Sequence, residues 1–302
     1  KQAPHKEAPF KMIDQVDFSQ VHIQDNFWSP RLKKHISTTL PVCIDQIENQ
    51  TGRIRNFENA AKREGEHSGI FFDDSDVYKA LEGMAYSLIN NPNPELEKKA
   101  DEWIDKFAAA QLPDGYINTY YTLTAPEKRW TNMDKHEMYC AGHMIEAGVA
   151  YYKATGKRKL LDVCIRMTDH MMSCLLYTSD AADDHMMSIF GPGKRDWVPG
   201  HEEIELALVK LYQTTGEQKY LDFADWLIEE RGHGHGSKGG EGEWDPFYYQ
   251  DDKPVREMSD IAGHAVRCMY LYCGMADVAA LKQDSGSVSY THLRAHETPE
   301  HL

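Results

Sequence analysis

A pair of helices joined at a Thr-Gly step occurs twice in the chain, and this repeat restricts the fold more than any other feature. Residues 151–162, YYKATGKRKLLD, align with residues 211–222, LYQTTGEQKYLD. In each copy the glycine can adopt the left-handed conformation that ends a helix, and apolar residues at helical spacing lie on both sides. Repeated helical pairs bury their apolar faces by stacking on their neighbours. The repeat therefore predicts a solenoid or a closed toroid of helical hairpins.

Two further segments resemble the repeated unit. Residues 74–107 read as a degenerate copy, in which an Asp-Ser-Asp run at 74–76 is expected to cap the first helix and Asn-Pro-Asn-Pro at 91–94 to end it. Residues 262–281 read as the first helix of another pair. Long loops rich in aromatic residues separate the pairs, at 114–134, 190–200 and 232–257. Long loops on one face are typical of an enzyme barrel, so we predict an all-α (α/α)6 toroid with little β structure.

Two short stretches differ in character from the rest of the chain. Residues 174–184, CLLYTSDAADD, and residues 288–298, VSYTHLRAHET, resemble in-frame translations of the adapters used to prepare sequencing libraries. The first stretch is flanked by a direct repeat, because DHMMS at 169–173 recurs at 184–188. We interpret it as an artefactual insertion and expect it not to pack. The alternative is a natural loop with a chance repeat.

This interpretation divides the chain into three parts. Residues 1–20 form an N-terminal extension, residues 21–286 a partial barrel with the insertion at 174–188, and residues 287–302 a non-native tail. Natural sequence is expected to stop near Gly286, which leaves the barrel incomplete because its C-terminal part is missing.

Charge and cysteine content exclude several classes of protein. The formal net charge is −15, which disfavours nucleic acids and membrane surfaces as partners because both are anionic. No apolar run reaches the roughly 20 residues that a membrane span needs. The six cysteines include no Cys-x-x-Cys pair, so a disulfide framework is not expected.

The polar N-terminal segment, KQAPHKEAP, is not a signal peptide. We expect an exported protein that is periplasmic or extracellular after removal of a leader. A cytoplasmic location is the alternative.

Three histidines occupy equivalent places in the repeated units. His136, His201 and His264 each stand just before the first helix of a pair. The first helices of a toroid usually form its inner ring, so the three imidazoles are expected to converge on one cleft. The positive end of a helix dipole disfavours imidazolium, and a neutral imidazole offers one donor and one acceptor to sugar hydroxyls. The alternative is three unrelated capping or core histidines.

Acidic residues cluster at the same helix starts. Asp76 and Glu202 are the candidates for contacts with a ligand in the cleft, although acidic residues in a first turn more generally stabilise the helix dipole.

A metal site formed by histidines is the alternative to a sugar-binding role for the three histidines. The zincin motif fails after His136, because Cys140 stands where the second histidine would be. The His-Gly-His-Gly run at 233–236 reads as a flexible linker, so no metal ligand is predicted in this chain.

The segments around these residues resemble a known family. The chain is similar to the N-terminal barrel of glycoside hydrolase family 127, the β-L-arabinofuranosidases, in the segments FFDDSDVYKALEGMAYSL, DGYINTYY, HEMYCAGHMIEAGVAYYKATG, VPGHEEIELALVKLYQTTGEQKYLDFADWLIEERG and AGHAVR. The similarity covers residues 21–281 apart from the inserted stretch. Its most specific part is VPGHEEIELALVKLY followed by AGHAVR.

The resemblance implies an (α/α)6 barrel that releases terminal β-L-arabinofuranose from plant-type glycans with retention. It also implies a zinc-bound cysteine thiolate as nucleophile, a glutamate as acid/base, and histidines matching His136, His201 and His264 along the sugar pocket. No Cys-Cys segment of the family's kind occurs in this chain. The catalytic residues and the zinc ligands are therefore expected in the missing half, and this chain alone is expected to be inactive.

Two other interpretations stay open. Another α/α-barrel carbohydrate enzyme, such as an unsaturated glucuronyl hydrolase or a sugar epimerase, would also line its cleft with histidines, but it would carry its acid/base residues in this half. A non-catalytic helical repeat binding protein would show regular periods and no histidines in equivalent places. The sequence leaves the oligomeric state open.

Overall fold

The structure is a computed structural model that describes residues 16–175, 198–234, 245–258, 260–261 and 263–282. Every regular element among these residues is a helix, which confirms the predicted all-α class. The inserted stretch at 174–188 lies outside the described residues, apart from the backbone of its first two positions. The tail at 287–302 and most of the N-terminal extension also lie outside them.

The first helical segment is irregular and the later ones are long. Turns of π-helix at residues 35–39 and 46–50 make residues 28–50 one continuous helical stretch that includes the first two α-helices. The α-helices of the described residues are α1 (Trp28–Lys34), α2 (Leu40–Asp45), α3 (Arg53–Lys62), α4 (Asp74–Asn90), α5 (Pro94–Ala110), α6 (Thr119–Thr124), α7 (Glu137–Thr155), α8 (Lys159–Leu175), α9 (Ile204–Thr215), α10 (Gln218–Glu230) and α11 (Ala265–Lys282).

The long helices form an inner and an outer layer. Helices α4, α7, α9 and α11 pack side by side in that order, and α5, α8 and α10 pack against them from the other side. Residues 137–151 of α7 are buried on every face, whereas α8 buries a single stripe that includes Leu160, Cys164 and Met167. A helix that is apolar all round needs partners all round, while an amphipathic helix lies at the surface. No helix in the described part of the chain is both long and apolar enough to span a membrane.

The predicted Thr-Gly steps end two of the inner helices. Gly156 follows α7 with a φ of 74°, and Gly216 follows α9 with a φ of 76°. The amide of each glycine donates to the carbonyl four residues earlier, at 2.7 Å in both cases. Glycine adopts this left-handed conformation without steric cost. The hairpin repeat inferred from the sequence is therefore confirmed at both steps.

The start of α4 differs from the sequence prediction. The helix begins at Asp74, and the residue before it, Asp73, makes no side-chain cap. The buried carboxylate of Asp74 instead accepts hydrogen bonds from the amide and the hydroxyl of Thr119, at 2.7 and 2.5 Å. Burial nevertheless raises the pKa of Asp74 to about 6. This acidic residue joins α6 to α4 rather than capping its own helix.

Aromatic side chains fill the space between the layers. The ring of Phe57 in α3 packs on Tyr78 of α4 and Phe107 of α5, with centroids 5.6 and 4.6 Å apart. Trp103 is fully buried, and its indole nitrogen donates to Glu48 at 2.8 Å. Burial of each such side chain contributes about 2–3 kcal/mol. This packing holds the inner helix α4 against α3 and the outer helix α5.

Candidate functional site

The starts of three inner helices meet at one place. His136 immediately precedes α7, His201 lies three residues before α9, and His264 immediately precedes α11. The ring centroids of His136 and His201 are 5.5 Å apart, and those of His201 and His264 are 6.5 Å apart. The structure thus brings together the three histidines that the sequence singles out. They are termed the histidine cluster.

The backbone at His136 has an uncommon conformation. Its φ is 59°, in the left-handed region that residues with a Cβ rarely adopt. The ring nitrogen Nδ1 makes a 2.5 Å hydrogen bond to the backbone carbonyl of Asp134, which holds the residue in place. Strained backbone of this kind occurs preferentially at functional sites. Here it sets the direction of the ring at the start of α7.

Backbone partners determine which ring nitrogens remain available to a ligand. In His136 and His201, Nδ1 lies 2.5 and 2.8 Å from a backbone carbonyl oxygen, so Nδ1 carries the proton and Nε2 is an acceptor. In His264, Nδ1 accepts a hydrogen bond from the amide of Arg267 at 3.4 Å, which leaves Nε2 as a donor. The histidine cluster therefore offers two acceptors and one donor, and hydroxyl groups can satisfy all three.

Two of the three rings are held neutral. Burial lowers the pKa of His136 to about 4 and the pKa of His201 to about 3, and the positive charge of Arg267 acts in the same direction. A neutral imidazole both donates and accepts a hydrogen bond. An uncharged polyol can therefore bind near neutral pH without any proton transfer to these rings.

Aromatic rings surround the histidine cluster. Tyr248 lies in one of the aromatic loops that the sequence singles out, whereas Tyr139 does not. The ring of Tyr139 lies between two of the histidines, 5.3 Å from His136 and 4.4 Å from His201, and Lys79 donates to its hydroxyl at 2.6 Å. Tyr139 follows His136 by three residues, and this spacing on an inner helix is the signal that predicts a shared face. The other rings in contact with the cluster are Phe71, Phe72, Tyr248 and Tyr270.

Asp76 lies at the margin of the histidine cluster and its surrounding aromatic rings. Its carboxylate pairs with Arg53 at 3.2 Å and is 39% exposed. Burial, followed by the charges of Glu203 and Asp76 among others, raises the pKa of Tyr139, so Asp76 acts electrostatically on the surroundings of the cluster. A direct contact between Asp76 and a ligand stays a prediction.

Glu202 lies behind the histidine cluster, and its direct contact with a ligand stays a prediction. Its side chain is fully buried and forms an ion pair with the equally buried Arg231 at 3.0 Å. Burial raises the pKa of Glu202 to about 7, and the charge of Arg231 opposes that rise. The backbone carbonyl of Glu202, rather than its carboxylate, contacts the ring of His201. The residue therefore supports the cluster through the backbone.

Arg231 connects several chain segments behind the cluster. Its guanidinium donates to the backbone carbonyls of Pro199 and Tyr249, at 2.7 and 2.9 Å. The hydroxyl of Tyr249 in turn donates to the carboxylate of Asp134 at 3.0 Å, and the carbonyl of Asp134 holds the first histidine ring. One buried cation thereby links the segments that carry the first two histidines.

A second polar group lies beneath the histidine cluster, on the far side of Tyr139. It consists of His143, Glu146 and Glu203, which are all buried and whose ligand-type atoms lie within 4.8 Å of one another. Nδ1 of His143 is 3.2 Å from Oε1 of Glu203 and 3.7 Å from Oε2 of Glu146. Imidazole and carboxylate are donor types that bind divalent cations. These residues are termed the His-Glu-Glu group.

The local sequence explains how the His-Glu-Glu group forms. His143 and Glu146 are one turn apart on α7, and Glu203 enters from the start of α9. Gly142 makes room for this carboxylate, because a Cβ at Gly142 would lie 2.6 Å from Cγ of Glu203. The prediction of no metal ligand considered the residues that follow His136 and the His-Gly-His-Gly run at 233–236. The signal that would have found the group is the His-x-x-Glu spacing in the middle of an inner helix.

Burial sets the protonation of this group. It lowers the pKa of His143 to about 2. It also raises the pKa of Glu203 well above its usual value, and the neighbouring carboxylate of Glu146 increases that rise. The second oxygen of Glu146 pairs with Lys210. These shifts favour a neutral imidazole at His143 and a protonated carboxyl at Glu203.

The described cysteines do not form the zinc–thiolate centre that the resemblance implies. Cys140, Cys164 and Cys268 are buried inside α7, α8 and α11. Burial raises the pKa of the Cys140 thiol well above its usual value, whereas a nucleophilic thiolate needs a lowered pKa. In the described part of the chain, the group with metal-binding donors contains no cysteine. No catalytic step is therefore assigned to these thiols.

Sequence comparisons agree with the resemblance. The family model for the β-L-arabinofuranosidase GH127 catalytic domain matches residues 20–293. A protein of Bifidobacterium longum subsp. longum that is named non-reducing end β-L-arabinofuranosidase is 36% identical over 307 residues. This alignment covers 89% of the chain and 44% of the relative.

Solved structures of the same family share the fold. A GH127 β-L-arabinofuranosidase from Geobacillus stearothermophilus T6 has a TM-score of 0.81 at 38% identity, covering 90% of this chain and 44% of that protein. A second GH127 β-arabinofuranosidase has a TM-score of 0.79 at 39% identity, covering 92% of this chain and 42% of that protein. The chain thus spans less than half the length of the relatives it matches.

Proposed function

Because the chain belongs to the β-L-arabinofuranosidase family GH127, we propose that the whole protein is a retaining glycosidase that releases terminal β-L-arabinofuranose from plant-type glycans. In this proposal the chain supplies the part of the barrel wall that binds the arabinofuranosyl ring. The observation that carries the proposal is the histidine cluster, whose members approach to 5.5 and 6.5 Å at the starts of three inner helices.

The chemistry of the cluster suits a furanose ring. Each sugar hydroxyl donates one hydrogen bond and accepts up to two. Nε2 of His136 and Nε2 of His201 are acceptors, and Nε2 of His264 is a donor, so the three rings can bind neighbouring hydroxyls. The ring of Tyr139 adds an apolar surface for the C–H groups of the sugar. In the reaction these side chains bind and orient the sugar and exclude water from one of its faces.

Zinc belongs to the proposal through the family resemblance. When bound, zinc would keep a cysteine nucleophile deprotonated. The described residues supply no thiolate for such a centre, so no step of the reaction is derived through the metal. The acid/base glutamate and the nucleophile are proposed to lie in the region that the relatives contain beyond their match to this chain.

The test compares hydrolysis of 4-nitrophenyl β-L-arabinofuranoside by this chain and by the same chain extended through the region that only its relatives contain. We expect turnover by the extended chain and none by this chain, because the family resemblance implies that the nucleophile and the acid/base lie beyond this chain. In the extended chain, His201→Ala is expected to lower kcat/KM about 100-fold, since it removes a hydrogen-bond partner of a substrate hydroxyl in a buried site.

The control is His22→Ala, which removes an exposed histidine outside the cluster. This substitution is expected to change kcat/KM by no more than about twofold. Turnover by the unextended chain would place the catalytic residues in this half and contradict the proposal. Hydrolysis of an unsaturated uronide instead of the arabinofuranoside by the extended chain would also contradict it.

A further inference from the structure

We propose that the His-Glu-Glu group binds one divalent transition-metal ion through Nδ1 of His143, Oε2 of Glu146 and Oε1 of Glu203. Zn²⁺ and Co²⁺ are the ions that suit one imidazole and two carboxylates in a site of three protein ligands. This site is separate from the histidine cluster and contains no cysteine. The inference does not depend on the proposed function.

The donor separations fit a shared metal ion. Two ligand atoms bound at about 2.1 Å in tetrahedral geometry lie about 3.4 Å apart. Nδ1 of His143 is 3.2 Å from Oε1 of Glu203 and 3.7 Å from Oε2 of Glu146, so the two measured distances lie on either side of the tetrahedral value. Small rotations of the carboxylates would bring all three atoms into the coordination sphere.

Polar atoms of this group are buried without hydrogen bonds. His143 is 3% exposed and Glu203 is 0% exposed. Within the described residues, neither ring nitrogen of His143 has a hydrogen-bond partner, and no donor reaches either oxygen of Glu203. Leaving a buried polar group unpaired costs about 1–3 kcal/mol, and native proteins rarely do so. A cation held between the two side chains satisfies the imidazole and the carboxylate together.

The local charge also favours a cation. Lys210 pairs with one oxygen of Glu146, and the other oxygen faces His143. Glu82 interacts electrostatically with Glu146 and with both Lys210 and Lys79, so the three carboxylates of Glu82, Glu146 and Glu203 share the charges of two neighbouring lysines. Protons or a metal ion must neutralise the excess negative charge in a buried site. A divalent ion neutralises both carboxylate ligands at once.

A path for the ion leads past Tyr270. The ring of Tyr270 lies 6.1 Å from His143 and 5.6 Å from His201, so it contacts both the His-Glu-Glu group and the histidine cluster. The same side chain lines an apolar groove of 360 Å³ between α9 and α11. Rotation of this one side chain would connect the group to the groove, which supplies the entry path that a metal site needs.

The test titrates the metal-free chain with Co²⁺ and follows binding by visible absorption and by calorimetry. We expect one equivalent of Co²⁺ to bind, with ligand-field bands and without a thiolate charge-transfer band. His143→Gln and Glu203→Gln remove one ligand each while keeping the side-chain volume nearly constant. Each variant is expected to bind Co²⁺ at least about 100-fold more weakly, since even indirect partners of metal ligands contribute 10- to 100-fold.

His233→Gln is the control, because it removes a histidine of the His-Gly-His-Gly run and should leave the Co²⁺ affinity unchanged. Thermal melts of the metal-free variants establish that they fold. Absence of Co²⁺ binding by the unaltered chain would overturn the proposal. Binding that survives both ligand substitutions, or that is lost in His233→Gln, would place the metal elsewhere and also overturn it. No readout depends on glycoside hydrolysis.

Discussion

Replacement of Arg231 by methionine is expected to lower the free energy of unfolding by about 3–5 kcal/mol, because it leaves a buried carboxylate without its partner. The guanidinium lies 3.0 Å from Glu202 and 3.6 Å from Glu205, and none of the three side chains is exposed. Methionine has a similar length and fills the space with apolar atoms. The expected loss of stability therefore comes from the missing charge and from the two missing hydrogen bonds to the backbone carbonyls of Tyr249 and Pro199.

Urea unfolding of the unaltered chain and of Arg231→Met measures this difference in the free energy of unfolding. The control is Arg256→Met, because Arg256 pairs with Glu229 through side chains that are 43% and 38% exposed. Exposed ion pairs contribute about 0–1 kcal/mol, so the control should change the stability by no more than that. Similar losses in the two variants would show that burial of the Arg231 pair does not determine its contribution.

A second large loss is expected from Gly232→Ala. Gly232 has a φ of 89°, and a Cβ there would lie 2.0 Å from the carbonyl oxygen of Lys253 and 2.4 Å from the nitrogen of Pro254. The backbone around Lys253 must move to admit even a methyl group. Left-handed strain and overpacking together are expected to cost about 3 kcal/mol or more. Because Gly232 adjoins Arg231, the same displacement should disturb the support behind the histidine cluster.

Gly216→Ala separates strain from packing. Gly216 has a similar φ of 76°, but a Cβ there would have no atom within 4 Å. Only the conformational cost remains, and it is expected to be about 1 kcal/mol. Both variants are compared with the unaltered chain by urea unfolding. An equal loss at the two glycines would contradict the close approach of the Lys253 backbone to Gly232.

The features that the sequence predicts correctly depend on local structure. The Thr-Gly steps at Gly156 and Gly216 end helices because a glycine C-cap needs no distant partner. The positions of His136, His201 and His264 before inner helices follow from the same repeat, since equivalent residues of stacked hairpins lie at the same end. Their proximity was therefore accessible from periodicity alone.

The features that the sequence does not predict depend on contacts between distant segments. Glu202 and Arg231 are 29 residues apart, and only the packing of α9 on α10 brings them together. Asp74 finds Thr119 in the same way across 45 residues. His143 and Glu203 approach because Gly142 lacks a side chain. In each case an acidic residue at a helix start lies beside a residue of another segment that is distant in the sequence.

The proposed function requires that His136, His201 and His264 bind an arabinofuranosyl ring. Long-range ¹H–¹⁵N NMR of the imidazole rings, recorded with and without methyl β-L-arabinofuranoside, tests this claim directly, with assignments from single His→Gln variants. In the free chain at neutral pH we expect the Nδ1–H tautomer in His136 and His201 and the Nε2–H tautomer in His264.

On addition of the glycoside, the Nε2 resonances of these three rings should shift and saturate together, while those of the exposed His22 stay unchanged. That result would establish the histidine cluster as the sugar-binding surface. Unchanged Nε2 resonances in all three rings at high glycoside concentration, or shifts confined to histidines outside the cluster, would contradict the claim.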